Sequence, residues 1–122
     1  MERDRARELC ASYAGAEETY PFGEGTAVYK VGGKMFALVP LDPEPPTVSL
    51  KCEPEWSEVL RNAYAAVRPG YHLNKRHWNT IILDGTIGDD EIVELIQHSY
   101  ELVTARRGGA RGGGPGASKG TR

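Results

Sequence analysis

Thr26-Ala27-Val28-Tyr29-Lys30-Val31-Gly32-Gly33-Lys34-Met35-Phe36-Ala37-Leu38-Val39-Pro40-Leu41 decides the architecture. Two runs rich in β-branched and aromatic residues flank a pair of glycines that can both take positive φ. Residues 26–31 and 34–41 therefore read as a hairpin. Met35, Phe36, Leu38 and Val39 place apolar groups on both faces of the returning strand. The proline-rich Asp42-Pro43-Glu44-Pro45-Pro46 cannot continue a ladder and reads as a loop. Beyond it, residues 47–52 alternate, with Val48, Leu50 and Cys52 on one side and Thr47, Ser49 and Lys51 on the other. Such a strand buries one face and wets the other.

Helical periods bracket these strands. Upstream, Ala6, Leu9, Cys10 and Tyr13 form a narrow apolar stripe over residues 2–14, ended by Gly15. An aromatic turn follows at Tyr20-Pro21-Phe22-Gly23-Glu24-Gly25. Downstream, Pro54 suits a first helical turn, and Trp56, Val59, Leu60, Ala63 and Tyr64 predict an amphipathic helix over 55–66. A strand is predicted from about Trp78 to Leu83, then a turn at Asp84-Gly85. Asp89, Asp90 and Glu91 open the last helix, where the dipole favours negative charge. Ile92, Leu95, Ile96, Tyr100 and Val103 give its buried stripe, with Arg106 and Arg107 at its end and Gly108-Gly109 stopping it.

The order is α-β-β-β-α-β-α: an α+β fold, one compact domain over 1–105 with helices packed on an antiparallel sheet. Residues 106–122 offer nothing apolar to bury and read as a disordered Gly/Arg-rich basic tail. The chain of 122 residues is long enough for a real core without staples. It shows no internal repeat and no apolar run long enough to span a membrane. The charged N-terminus lacks an export signal, so a cytoplasmic location is expected. Cys10 and Cys52 read as packed, reduced thiols.

The formal charge of −2 conceals two poles. Five of the 15 cations lie from Arg106 onward, where there is no acid; residues 1–105 keep 10 cations against 17 acids, a net of −7. So acidic a body is a poor non-specific partner for nucleic acid, because phosphate affinity comes mainly from cations. Any such contact must be local or use the tail.

The densest local chemistry is Pro69-Gly70-Tyr71-His72-Leu73-Asn74-Lys75-Arg76-His77-Trp78-Asn79. A turn signal opens it and a strand closes it, so polar, cationic and aromatic groups are held at the mouth of a sheet. Asn and Arg can pair with base edges, and Tyr71 or Trp78 could stack on a base, although Trp78 reads better as core. The charged and imidazole groups read as exposed, since burying so many together is costly.

Together with Tyr20-Pro21-Phe22-Gly23, Tyr29 to Ala37, Leu50-Lys51-Cys52 and His98-Ser99-Tyr100-Glu101-Leu102-Val103, this segment resembles the MmcQ/YjbR family, in register over roughly Arg7 to Arg106. The resemblance implies a fold like that of CyaY and frataxin, and a DNA-binding protein with a double-wing arrangement of hairpins. The fold alone does not carry the function.

On that reading, Lys30, Lys34, Lys51, Lys75 and Arg76 would meet phosphate, while His72, Asn74, His77 and Asn79 would hydrogen-bond base or sugar. DNA is the expected partner, with RNA reachable through the tail, and the domain is expected to be a monomer. No cofactor is expected. His72, His77 and His98 match no common zinc spacing, and the acids that could form a frataxin-like iron ridge (Glu2, Asp4, Glu8) alternate with Arg3, Arg5 and Arg7. Nor is an enzyme expected: His98 and Ser99, adjacent on one helix, point apart and form no triad. The alternative is a small-molecule binder taking a nucleotide-like or planar ligand between the sheet and the Tyr71–Trp78 segment.

Overall fold

The computed structural model describes residues 1–70 and 73–104. Tyr71, His72 and the expected basic tail lie outside the described residues. Three helices, α1 (Arg3–Ser12), α2 (Pro54–Ala63) and α3 (Asp89–Thr104), accompany six strands. These are β1 (Glu17–Thr19), β2 (Thr26–Val31), β3 (Lys34–Pro40), β4 (Thr47–Lys51), β5 (Val67–Pro69) and β6 (Trp78–Ile82). The sheet is antiparallel with order β1-β2-β3-β4-β6-β5. The fold is the expected α+β domain, with two more strands than the sequence signals. Among the described residues no helix is long and apolar enough to cross a membrane.

Both added strands are three-residue edges, too short to show alternation: Glu17-Glu18-Thr19 and Val67-Arg68-Pro69. Their conformation is set by the neighbour they pair with. Short edges carrying charge and proline also discourage pairing with another chain. Strand β1 is further tied to α1 through Glu18, whose carboxylate accepts hydrogen bonds from the hydroxyls of Tyr20 and Tyr29 and from Arg7.

One face of the sheet takes the helices. Ala6 and Cys10 of α1, Leu60 of α2, and Ile92, Leu95, Ile96 and Val103 of α3 join Ala27, Tyr29, Ala37, Val39, Val48, Leu50 and Ile81 in one core. Both cysteines are free and buried in it, and burial pushes the Cys10 thiol up to about 12. Gly32 and Gly33 take φ of 58° and 81°, the turn that the glycine pair predicts.

The doubly apolar β3 has a specific cause. Tyr29 pairs with Ala37 but Lys30 pairs with Met35, so Phe36 is the extra residue of a β-bulge. The bulge sends both Phe36 and Ala37 into the helix-side core. It also interrupts the β3–β4 ladder, and Ser99 of α3 repairs the gap. The buried Ser99 Oγ donates to the Phe36 carbonyl at 2.5 Å and accepts from the Lys51 N–H at 2.9 Å. Ser99→Ala should leave two buried backbone groups unpaired. It should lower stability by about 1–3 kcal/mol, read as a lower urea midpoint with an unchanged slope.

Candidate functional site

The face of the sheet away from the helices is the one no helix covers. Its side chains follow from register: Thr19, Val28, Leu38, Ser49, Thr80 and Arg68 form one row across all six strands. Beside that row stand Glu17, Lys30 and Met35 on one side of the sheet and Lys51 and Trp78 on the other. Trp78 is buried, as expected, but in a separate cluster on this second face, with Val28, Leu38, Met35 and Leu73. Leu73 thus packs where the sequence suggested a ligand pocket between sheet and segment. A cavity of about 320 Å³ lies elsewhere, between the end of α2 and β5–β6, lined by Tyr64, Arg68, Asp84 and Thr86 among alanines and Ile82.

Two hairpins point to the same end of the sheet: β2–β3, through Gly32-Gly33, and β5–β6, through residues 70–77. The end of β4, with Lys51, lies between them. Three strand spacings separate the midlines of the two hairpins, about 14 Å. Lys30, Lys51, Lys75, Arg76 and His77 are gathered at this end. Lys34 only partly joins them: it pairs with Val31, whose side chain packs on the helix-side core, so it leaves the hairpin tip on the face opposite Lys30.

The β5–β6 loop is held by its own polar groups. Gly70 N–H donates to the Trp78 carbonyl at 2.8 Å, and Lys75 Nζ donates to the Gly70 carbonyl at 2.9 Å. Gly70 must stay small, because a Cβ there would come within 2.7 Å of Trp78 Cβ. Asn74 Oδ1 accepts from the Arg76 N–H at 2.9 Å, an Asx turn that engages part of a side chain expected to meet base or sugar. Arg76 and His77 remain exposed.

Asn79 is a correction. The sequence reading offered it to base or sugar, but it pairs with Leu50 on the helix side and is 2% exposed. Its Oδ1 accepts from Arg61 Nε of α2 at 2.7 Å. The period of two explains the error: with Trp78 on the open face, its neighbour must face inward. Arg61 was missed because on α2 it reads as an ordinary helix-end cation, and only the fold brings it beneath β6.

Charge is segregated. The three α1 arginines are all in ion pairs: Arg3–Glu44 at 3.0 Å, Arg5–Glu8 at 3.6 Å and Arg7–Glu18 at 3.3 Å. Among the described residues none of Lys30, Lys34, Lys51, Arg68, Lys75 and Arg76 forms one. Glu17, opposite Lys30, is the one acid in the register of the open face. No three His, Cys, Asp or Glu among the described residues gather as metal ligands.

The YjbR family model matches residues 11–102. This chain belongs to the YjbR family. It is 39% identical over 94 residues to the uncharacterized protein YjbR of Escherichia coli K12, covering 77% of this chain and 80% of that one. It is 33% identical over 100 residues to the uncharacterized protein YbdF of E. coli O157:H7, covering 82% of each. The crystal structure of Deinococcus radiodurans DR2400, a DUF419 domain, superposes with a TM-score of 0.80 at 42% identity, over 85% of this chain and 79% of that one. A Pseudomonas syringae protein superposes with a TM-score of 0.73 at 27% identity, over 84% of this chain and 98% of that one.

His98, quoted in the resemblance, sits away from the open face. Its ring packs edge-on against Trp56, centroids 4.5 Å apart, and its Nε2 is buried with no hydrogen-bond partner among the described residues. Burial holds its pKa below the ordinary 6.5, against the weaker pull of Glu53 and Glu101. The unfolded chain therefore takes up a proton that the folded one resists. Stability is complete above about pH 6.5 and declines as pH falls from there toward the folded pKa. Urea unfolding at stepped pH should show this loss in the wild type, and His98→Phe should flatten it.

Proposed function

We propose that this YjbR-family chain is a non-enzymatic nucleic-acid-binding module that meets a DNA backbone with the hairpin-bearing end of its sheet. One observation carries the reading. The described cations outside α1, apart from the inward-facing Arg61, are free of ion pairs and lie on the open face or its hairpin tips. The acids are concentrated on the helical layer and the opposite loops. A body of net negative charge can bind phosphate through such a local pole, because fields near a surface follow nearby charges rather than the total.

The two hairpins act as wings. Lys30 and Lys34 lie at one tip, Lys75 and Arg76 on the other, and Lys51 at the strand end between them. A separation of about 14 Å spans roughly four phosphates along one strand at ~3.4 Å each. Backbone contact of this kind positions a duplex without reading its sequence. With Asn79 buried and the Asn74 oxygen occupied, fewer groups are left for base edges than the sequence suggests. Low sequence preference is therefore expected. The Gly/Arg-rich tail, with five cations and no acid, would add charge and extend the contact to RNA as well as DNA.

Lys51→Ala combined with Arg76→Ala removes one cation between the wings and one on a wing. Binding to a mixed-sequence duplex should weaken uniformly across sequences. The slope of log affinity against log salt should become shallower by about 2. Fluorescence anisotropy at several salt concentrations reads both quantities, and an unchanged affinity and slope would sink the proposal.

A further inference from the structure

The hydrogen bonds of Arg61 fall on a single segment. Its Nε donates to Asn79 Oδ1 at 2.7 Å, and its Nη2 donates to the Trp78 carbonyl at 3.2 Å and to the Lys75 carbonyl. The Lys75 and Trp78 carbonyls flank Arg76 and His77, both exposed. Two further backbone bonds depend on that geometry: Cys52 N–H to the His77 carbonyl at 2.9 Å, and His77 N–H to the Asn74 carbonyl at 3.2 Å. The Trp78 carbonyl is shared, accepting from Gly70 N–H as well. One guanidinium rising from α2 thus fixes the backbone on both sides of the pair and fastens it to the first residues of β6.

We infer that Arg61 is a positioning residue: it pre-sets the β5–β6 wing so that Arg76 and His77 are presented in one arrangement before any partner arrives. The inference rests on the nucleic-acid reading for what is presented, but not for the clamp itself. A planar fork is needed, because three acceptors on two sides of a loop cannot be met by a point charge. Arg61 is itself turned inward, so it acts through the wing and does not neutralise phosphate. Pre-ordering a loop raises affinity by removing an ordering cost that binding would otherwise carry. The structural task of Asn79 is to receive Arg61 Nε and carry the clamp into β6.

The test compares the full chain with Arg61→Lys, which preserves net charge, and with Arg61→Met, which preserves the stem. Thermal unfolding first establishes that both variants are folded. In Arg61→Lys, amide exchange at Gly70, His77 and Cys52 should accelerate while that of β2 and β3 stays unchanged. Affinity for a mixed-sequence DNA duplex should fall about tenfold, with the same salt slope in both variants as in the wild type. A slope shallower by about 1 in Arg61→Met would mean that Arg61 meets phosphate directly, overturning the positioning role. Unchanged exchange in Arg61→Lys would overturn the clamp, and faster exchange with undiminished affinity would overturn its bearing on binding. If the wild-type chain binds no duplex, the nucleic-acid reading falls and the role in presentation with it. Faster exchange in Arg61→Lys would even then establish the clamp.

Discussion

Everything in this molecule depends on the helices covering only one face of the sheet. All three helices pack on the same side, so the period of two in each strand sends one set of side chains into the core and the other outward. Pairing carries that choice from strand to strand, and the row from Thr19 to Arg68 is its product. A one-residue slip would put Lys30 and Lys51 into the core, so burial of Tyr29 and Leu50 fixes where the cations emerge. Among the described strands the period fails at the bulge at Phe36, and there α3 supplies Ser99 to complete the interrupted ladder.

That constraint also organises the electrostatics. Nine of the 17 acids lie on the helices, against four cations, and three of those four are held in ion pairs. The fourth is Arg61, turned inward beneath the β5–β6 wing. Among the described residues, the strands and their hairpins carry the remaining six cations. An overall negative charge therefore coexists with a local positive end, which the bare total of −2 hides.

Local chemistry made much of this legible in the sequence. Gly32-Gly33 announced the hairpin, the alternation over 47–52 announced a half-buried strand, and the apolar stripes announced three helices. Trp78 was recognisable as a buried residue from its size and context. The rest was hidden for identifiable reasons. Strands β1 and β5 have three residues each, too few for a period to show, and exist through their partners. Asn79 looked like one more member of a polar run, but its inward direction depends on a register that only the folded sheet defines. Ser99 and Arg61 act across 48 and 18 residues of chain, a separation over which no local pattern reports.

The surface proposed to meet nucleic acid is the end of the sheet that bears both wings. Backbone amide chemical shifts of the full chain, followed by NMR while a short mixed-sequence DNA duplex is added, test it most directly. The shifts should concentrate at Lys30 to Lys34, at Lys51 and across Leu73 to His77, leaving the outer faces of α1 and α3 undisturbed. Shifts confined to the helical layer, to the cavity near Tyr64 and Arg68, or to the residues beyond Thr104 alone would contradict it.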